Sequence, residues 1–200
     1  MPNEPTYENV GQGSDVGPGF DGVLDAARSG AEWAFAVLYR AMNPRLLRYL
    51  SAQAPGEAED IAAETWMGAA RSLAGFEGGE EAFRAWLFKI AYRRLVQHWR
   101  DRSRDRSAPR DPYLLTEQPA GGSPEDSVLA ADSVAEATRR LVGVLSPDQA
   151  QVVILRILGD FSVDQVAGIL GKRPGTVRVL QHKALRRLAN QNFSLEAVTK

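Results

Sequence analysis

The feature that most constrains the fold is a helical apolar period that occupies both halves of the chain and is interrupted once. Four apolar residues have the i, i+3, i+4, i+7 spacing of one helix face: Phe35, Leu38, Tyr39 and Met42. Residues 103–128 break the period with four prolines and a Gly-Gly pair. No run alternates between apolar and polar residues as a strand would. We therefore expect an all-α chain of two small helical domains joined by a flexible linker.

Composition shifts along the chain predict where these domains lie. Gly, Pro and acidic residues at the start indicate a disordered tail. In the first domain we expect helices over about 57–73 and about 81–102, and a break at Asn43-Pro44, because proline suits the first turn of a new helix. The expected segments are a tail (1–19), a first domain (20–106), a linker (107–127), a second domain (128–190) and a C-terminal tail (191–200).

The second domain has the pattern of a helix-turn-helix. Ser146 and Ser162 are each followed three residues later by glutamine, which is the capping box that starts a helix. Gly171-Lys-Arg-Pro174 then predicts a tight turn before a basic second helix. Two short helices joined in this way place the second helix in a DNA major groove, although an ordinary helical hairpin with a solvated basic face has the same pattern.

Charge is concentrated in two stretches of the chain. The formal net charge is only −1. Residues 84–106, however, contain eight basic and two acidic residues, and residues 172–187 contain six basic residues and no acid. Each stretch carries +6, which indicates a polyanionic partner such as nucleic acid. The near-neutral total predicts weak attraction to DNA for the whole molecule, so we expect a second partner to hold it there.

An acidic helix and an aromatic, basic helix precede the linker. Glu57, Asp60 and Glu64 are spaced at i, i+3 and i+7, either as a solvated face that complements the helix dipole or as a dock for a basic partner. The next helix interleaves lysine and arginine with aromatic residues, which suits single-stranded nucleic acid because bases stack on rings. The alternative is that Phe83, Trp86 and Trp99 belong to the core.

The sequence lacks the residues that several classes of function require. The chain has no cysteine and only two histidines, so cysteine-ligated metal and thiol chemistry are excluded and no metal site is expected. We find no phosphate-binding glycine loop and no Ser/His/Asp grouping, so we expect neither an enzyme nor a cofactor. No apolar run is long enough to cross a membrane and the N-terminus does not resemble a secretory signal, so we expect a cytoplasmic protein without membrane insertion.

Five fragments together resemble one family, the extracytoplasmic-function sigma factors of bacterial RNA polymerase. They are AFAVLYRAMNPRLLRYL, EAEDIAAETWMGAARSL, FRAWLFKIAYRRLVQHWR, LSPDQAQVVILRIL and FSVDQVAGILGKRPGTVRVLQHKALRRLA. The resemblance covers about residues 20–106 and 128–190. It implies a region-two domain and a region-four domain, both helical, whose partners are core RNA polymerase (the β′ clamp helices and the β subunit), promoter DNA and, commonly in the family, an anti-sigma factor.

The resemblance also implies roles for individual residues. The positions that match the polymerase-docking motif are Glu57, Asp60, Ile61, Glu64, Thr65 and Trp66. Those that match recognition and opening of the minus-ten element are Phe76, Glu77, Gly78, Gly79, Glu80, Phe83, Arg84, Trp86, Lys89, Arg93 and Arg100. Those that match recognition of the minus-thirty-five duplex are Lys172, Arg173, Thr176, Arg178, Val179, His182, Lys183 and Arg186.

This sequence departs from the family pattern at four positions. Ala63 replaces a usual glutamine, Arg93 and Gln97 replace an asparagine and an aspartate, and Val179 replaces a frequent serine. These departures affect the expected promoter sequence more than the expected role. The alternative function is a helix-turn-helix regulator that acts without polymerase, which leaves the acidic helix and the aromatic, basic helix without a role.

Overall fold

The computed structural model describes residues 19–107 and 143–190 of the chain. The predicted all-α class is confirmed, because every regular element in these two ranges is a helix. The expected disordered N-terminal tail, almost all of the linker, the start of the second domain and the C-terminal tail lie outside the described residues. The two described ranges are called the first and the second helical block below.

The first block is built from four α-helices that share one core. They are α1 (Phe20–Arg28), α2 (Glu32–Ser51), α3 (Ala58–Ser72) and α4 (Glu80–Ser107), with a 3₁₀ turn at Leu73–Gly75 before the loop that leads to α4. Helix α3 packs between α2 and α4, and α1 lies against α2 and the 3₁₀ turn. The loop of residues 76–79, called the α3–α4 loop below, is therefore bordered by α1 on one side and by the start of α4 on the other.

The predicted break at Asn43-Pro44 is wrong, because α2 continues through Pro44. Proline in a helix interior removes one backbone hydrogen bond and clashes with the preceding turn, at a cost of about 3 kcal/mol. Leu38 and Met42 before it and Leu46 after it are all buried in the same core, and their burial outweighs that cost. Asn43 does not cap a helix, since its side-chain oxygen accepts a hydrogen bond from Trp66 Nε1 at 3.0 Å.

The second block forms the predicted helix-turn-helix. Its helices are α5 (Pro147–Ile157), α6 (Val163–Leu170) and α7 (Pro174–Ala189). Both predicted capping boxes are confirmed: the Ser146 and Ser162 hydroxyls each accept a hydrogen bond from the backbone N–H of the glutamine three residues later. Gly171 ends α6 with a φ of +65°, a left-handed conformation that glycine adopts without steric cost.

The two blocks are in contact through α4 and α6 and through polar groups of α2 and α5. The Phe88 ring on α4 lies 4.9 Å from the Phe161 ring, centroid to centroid. The buried Tyr49 hydroxyl donates a hydrogen bond to Gln151 Oε1 at 3.0 Å, and Gln151 in turn donates to Gln53. A buried glutamine joined to a tyrosine of the other block ties the two helical units together with directional bonds.

The buried Tyr49 hydroxyl predicts a loss of stability at alkaline pH. Burial raises the pKa of Tyr49 well above its ordinary value of about 10. A raised pKa means that the stability from the neutral phenol is complete below about pH 10 and is lost as the pH rises above it. We expect the free energy of unfolding to fall by up to about 1.4 kcal/mol per pH unit above pH 10, measured by denaturant titration. Tyr49→Phe should abolish that slope, whereas Tyr39→Phe at an exposed ring should keep it.

Candidate nucleic-acid interface

The outer face of α7 is an uncovered basic surface at one end of the second block. Val177, Ala184 and Leu188 are buried against α5 and α6 and fix which side of α7 faces outward. The opposite side carries Val179, His182, Lys183 and Arg186, with Thr176 and Arg178 flanking it and Arg173 at the N-cap before the helix, and all seven residues are exposed. The polar and basic side chains among them can donate hydrogen bonds to guanine edges and phosphates, and the Val179 side chain, 53% exposed, can contact a thymine methyl group.

Lys172 differs from the rest of the predicted set on this surface. Its Nζ lies 2.8 Å from Asp148 Oδ2 and its side chain is half-buried. The pair joins the turn before α7 to the first turn of α5. Lys172 therefore contributes to the packing of the helix-turn-helix in the DNA-free structure, in contrast to the seven exposed residues.

The α3–α4 loop forms a second surface. Glu77, Gly78 and Gly79 are exposed, and Glu80 is half-buried at the start of α4. The Phe76 ring lies 5.7 Å from the Phe83 ring and 4.9 Å from the Trp86 ring, between centroids. Phe76 and Trp86 are both half-buried, so this aromatic cluster anchors the loop and still has edges at the surface.

Two predicted nucleic-acid contacts on α4 are buried in the structure. Phe83 is fully buried, because its ring packs on Phe20, Phe76 and Trp86, and its prediction as a DNA contact is not supported. Arg84 is only 9% exposed, and its guanidinium lies over the Phe161 ring of the second block at 5.3 Å. The burial of Phe83 agrees with the alternative that it belongs to the core.

Three other basic residues of α4 share one side of the helix. Lys89, Arg93 and Arg100 fall within about 40° of one another on a helical wheel. Arg93 and Arg100 are exposed and Lys89 is half-buried, so this side is available to phosphates. It continues the surface that begins at the α3–α4 loop.

The acidic residues of α3 differ in their surroundings. Glu57 Oε1 lies 2.8 Å from Arg102 Nη1, and Glu64 Oε2 lies 3.6 Å from Arg94 Nη1, so α4 partly neutralises both. Asp60 is exposed, and within residues 19–107 and 143–190 it has no ion pair. Of the three acidic residues predicted to dock, Glu57, Asp60 and Glu64, Asp60 is the one most available to a basic partner.

Three predicted docking residues on α3 are buried. Ile61, Thr65 and Trp66 face the core of the first block, and the Thr65 hydroxyl donates a hydrogen bond to the Ile61 carbonyl at 2.7 Å. The side of α3 that they occupy packs on α2 and α4, so these three side chains do not themselves form an exposed surface. They support the docking surface from beneath.

The described residues were also compared with the requirements of a metal site and of a membrane-spanning helix. Across residues 19–107 and 143–190, no three His, Cys, Asp or Glu side chains come close enough together to hold a metal ion. Among the helices described, none is both long and apolar enough to cross a bilayer.

The two helical blocks are similar to two regions of the sigma-70 family. Sigma-70 region 2 matches residues 38–105, and Sigma-70 region 4 matches residues 135–188. The ECF RNA polymerase sigma factor BldN of Streptomyces coelicolor is 34% identical over 172 residues, which are 84% of this chain and 63% of BldN, so this chain spans less than two thirds of that relative. This chain belongs to the extracytoplasmic-function sigma factors of the sigma-70 family. Sigma factors as a family direct RNA polymerase to promoters and are not enzymes.

Other sigma factors align over more of their length. SigD of Mycobacterium tuberculosis is 29% identical over 181 residues, which cover 88% of this sigma factor and 84% of SigD. The structure of CnrH in complex with the cytosolic domain of CnrY superposes with a TM-score of 0.61 at 21% identity and covers 86% of this chain and 96% of CnrH. At that identity the superposition supports the fold.

The structure of this sigma factor adds two residues that the sequence analysis missed. Met67 on α3 is 52% exposed and lies one turn after Glu64 on the acidic face, where the i+3 spacing could have indicated it. Arg28 on α1 contacts the α3–α4 loop, 50 residues further along the chain. A contact across that separation has no signal in the local sequence.

Proposed function

We propose that this sigma factor binds core RNA polymerase through the exposed face of α3 and promoter DNA through two separate surfaces. The α7 face takes the minus-thirty-five duplex, and the α3–α4 loop with the basic side of α4 takes the melted minus-ten strand. The observation that carries the proposal is the uncovered α7 face, on which seven predicted contact residues are exposed together on the second helix of a helix-turn-helix.

The polymerase contact in this proposal is centred on Asp60. The family pattern docks this helix on the β′ clamp helices, and Asp60, Glu64 and Met67 are exposed together on one side of it here. A carboxylate beside an exposed methionine suits a partner surface that combines basic and apolar groups.

The minus-ten contact requires the protein to stabilise an opened duplex. Separating a base-pair step costs about 1.4 kcal/mol of stacking, and stacking one base on an aromatic side chain returns about 1–3 kcal/mol. The half-buried Phe76 and Trp86 rings are the aromatic groups beside the exposed loop. Lys89, Arg93 and Arg100 would then hold the strand through its phosphates. Arg84 can join them only after the two helical blocks separate, because Phe161 covers it.

Tight binding to promoter DNA is expected only when the protein is docked on polymerase. The chain is almost neutral overall, so neither basic surface alone is expected to bind DNA tightly at physiological salt. Docking on polymerase would hold both surfaces at once, and the second contact would then form at a high effective concentration. We place this activity in the cytoplasm, with the polymerase, and assign no catalytic step to this chain. An anti-sigma partner remains a prediction.

Run-off transcription with purified sigma-free core polymerase tests the proposal. We expect the protein to produce transcripts with a small set of defined start sites on fragmented genomic DNA. The same start sites should be absent with polymerase alone or with this protein alone. Random or absent starts with a folded protein would overturn the proposal.

A gel shift without polymerase separates the alternative from the proposal. A regulator that acts alone binds its operator with nanomolar or tighter affinity at about 150 mM salt. We expect no such complex on the mapped promoters until core polymerase is added. A tight complex in its absence would favour the regulator.

Replacing Arg178 by alanine should weaken minus-thirty-five recognition. If the guanidinium contacts a guanine edge, its loss costs about 1–3 kcal/mol and relaxes the preference at one base pair. The measurement is the binding of holoenzyme to a set of duplexes with single changes in that element. Arg187→Ala is the matched control, because Arg187 is exposed, lies outside the predicted contact set and is about 180° from Arg178 around α7. Equal losses in the two variants would remove Arg178 from the interface.

A further inference from the structure

Helix α1 contacts the candidate minus-ten surface although it lies outside the part of the chain that matches sigma-70 region 2. That match begins at residue 38, and α1 ends at Arg28. Phe20 at the start of α1 packs its ring 5.8 Å from the Phe83 ring beneath the loop. A Cβ added at Gly79 would lie 3.4 Å from Asp21 Oδ1, so the first turn of α1 borders the loop directly.

Arg28 at the other end of α1 holds the loop at two points. Its Nη2 donates a hydrogen bond to the Gly78 carbonyl at 3.3 Å. Its guanidinium also lies over the Phe76 ring, 5.4 Å from the centroid, within the range of a cation–π contact. One side chain therefore contacts both the apolar anchor of the loop and the exposed backbone beyond it.

Asp25 in turn orients Arg28. Arg28 Nη1 donates to Asp25 Oδ1 at 2.9 Å, one helical turn earlier. The Arg28 side chain is 25% exposed and the Asp25 side chain is 71% exposed, so the guanidinium is partly covered while the carboxylate is open to solvent. A planar guanidinium can bond a carboxylate and a carbonyl and stack on a ring at the same time, which a lysine ammonium cannot do with the same geometry.

The loop itself has one backbone position that needs such support. Gly78 has a φ of +129°, and a Cβ there would lie 2.7 Å from Ala82 Cβ. The loop is thus built around a glycine, the residue with the largest backbone freedom to lose on folding. The Arg28 hydrogen bond is made to the carbonyl of that same glycine, where it restricts the backbone at this position.

We propose that Arg28, oriented by Asp25, is a positioning residue that holds the α3–α4 loop in the conformation that selects the minus-ten base. The inference rests on the proposed function, in which the α3–α4 loop binds the melted minus-ten strand, and it adds that the loop selects one of the bases in that strand. It assigns α1 a role in promoter selectivity. Loss of the guanidinium lets the loop adopt several conformations, so that different bases are accepted with similar affinity.

Base selectivity in the minus-ten strand tests this inference. The probe is a single-stranded non-template oligonucleotide bound to holoenzyme, with each base of the element replaced in turn and affinity measured by fluorescence anisotropy. We expect Arg28→Ala to reduce the ratio between the preferred and the other bases about tenfold. Binding of the minus-thirty-five duplex and of core polymerase should stay within twofold of wild type. Arg48→Ala, at an exposed arginine of α2, should change none of these values.

Two further variants keep the test decisive. Asp25→Asn alters an exposed residue and should reduce the same ratio about threefold, so it serves if Arg28→Ala does not fold. Arg28→Lys should restore the first block's stability without restoring full selectivity, which separates positioning from simple packing. Wild-type selectivity in both Arg28→Ala and Asp25→Asn would overturn this inference and leave the proposed function of the loop unaffected. A wild-type holoenzyme that shows no base preference in this strand would instead overturn the proposed function of the loop.

Discussion

Asp60→Arg is expected to abolish stable binding of core RNA polymerase while leaving the fold intact. Asp60 is exposed in the first turn of α3, and in the described residues no basic side chain neutralises it. Reversing its charge would place an arginine of this chain against a basic surface of the polymerase. Such a contact between like charges costs at least about 2 kcal/mol. That cost corresponds to a loss of affinity of roughly 30-fold or more, measurable by titrating labelled protein with core polymerase.

The matched control for this change is Glu32→Arg. Glu32 is also an exposed acid in the first turn of its helix, so both reversals lose the same favourable interaction with a helix dipole, about 0.3–1 kcal/mol. We expect Glu32→Arg to bind polymerase like wild type and both variants to have wild-type helix content by circular dichroism. If Glu32→Arg loses binding and Asp60→Arg retains it, the dock lies on α2 and the α3 assignment is wrong.

Local sequence signals predicted the second block well. A capping box needs only a serine and a glutamine three residues apart, and the turn at Gly171 needs only a residue that tolerates a positive φ. Because both features are complete within a few residues, Ser146 and Ser162 start helices as expected. The outer face of α7 followed from the same local geometry, since its buried side is set by residues with helical spacing.

The sequence analysis could not anticipate structural features that depend on contacts between distant residues. Pro44 stays inside α2 because residues on both sides of it are buried in one core. Helix propensity depends on the local sequence only and does not include the free energy of that burial. Thr65 and Trp66 were predicted as docking residues because they match the family motif. That motif contains both buried and exposed positions of one helix, and the sequence did not show that these two are buried. Arg84 lies on a basic helix, and only its contact with Phe161 shows that it is covered.

The burial of Phe88 between the two blocks could not be predicted from the local sequence pattern. It lies off the Phe83–Leu87 stripe of α4 that defines the core of the first block, and it is fully buried because it faces the second block. Its ring contacts Tyr49 of the first block at 5.3 Å and Phe161 of the second at 4.9 Å, between centroids. A single aromatic side chain therefore belongs to both cores.

Phe88→Ala is accordingly expected to destabilise the protein and to uncouple its two blocks. Removing a buried phenylalanine costs about 3–5 kcal/mol, a large share of the roughly 5–15 kcal/mol that stabilises a typical domain. All four tryptophans of the chain lie in the first block, so their fluorescence reports that block, while circular dichroism reports the helices of both. In denaturant we expect the two signals to coincide for wild type and to separate for Phe88→Ala.

Phe83→Ala provides the comparison that distinguishes uncoupling from simple loss of stability. Phe83 is equally buried on the same helix, but its ring partners Phe20, Phe76 and Trp86 all belong to the first block. This variant should lose a similar free energy of unfolding while its fluorescence and circular dichroism transitions still coincide, because the Phe88–Phe161 contact is intact. If the two signals also coincide in Phe88→Ala, the ring stabilises the first block only, and Arg84 and Gln151 must account for the contact between the blocks.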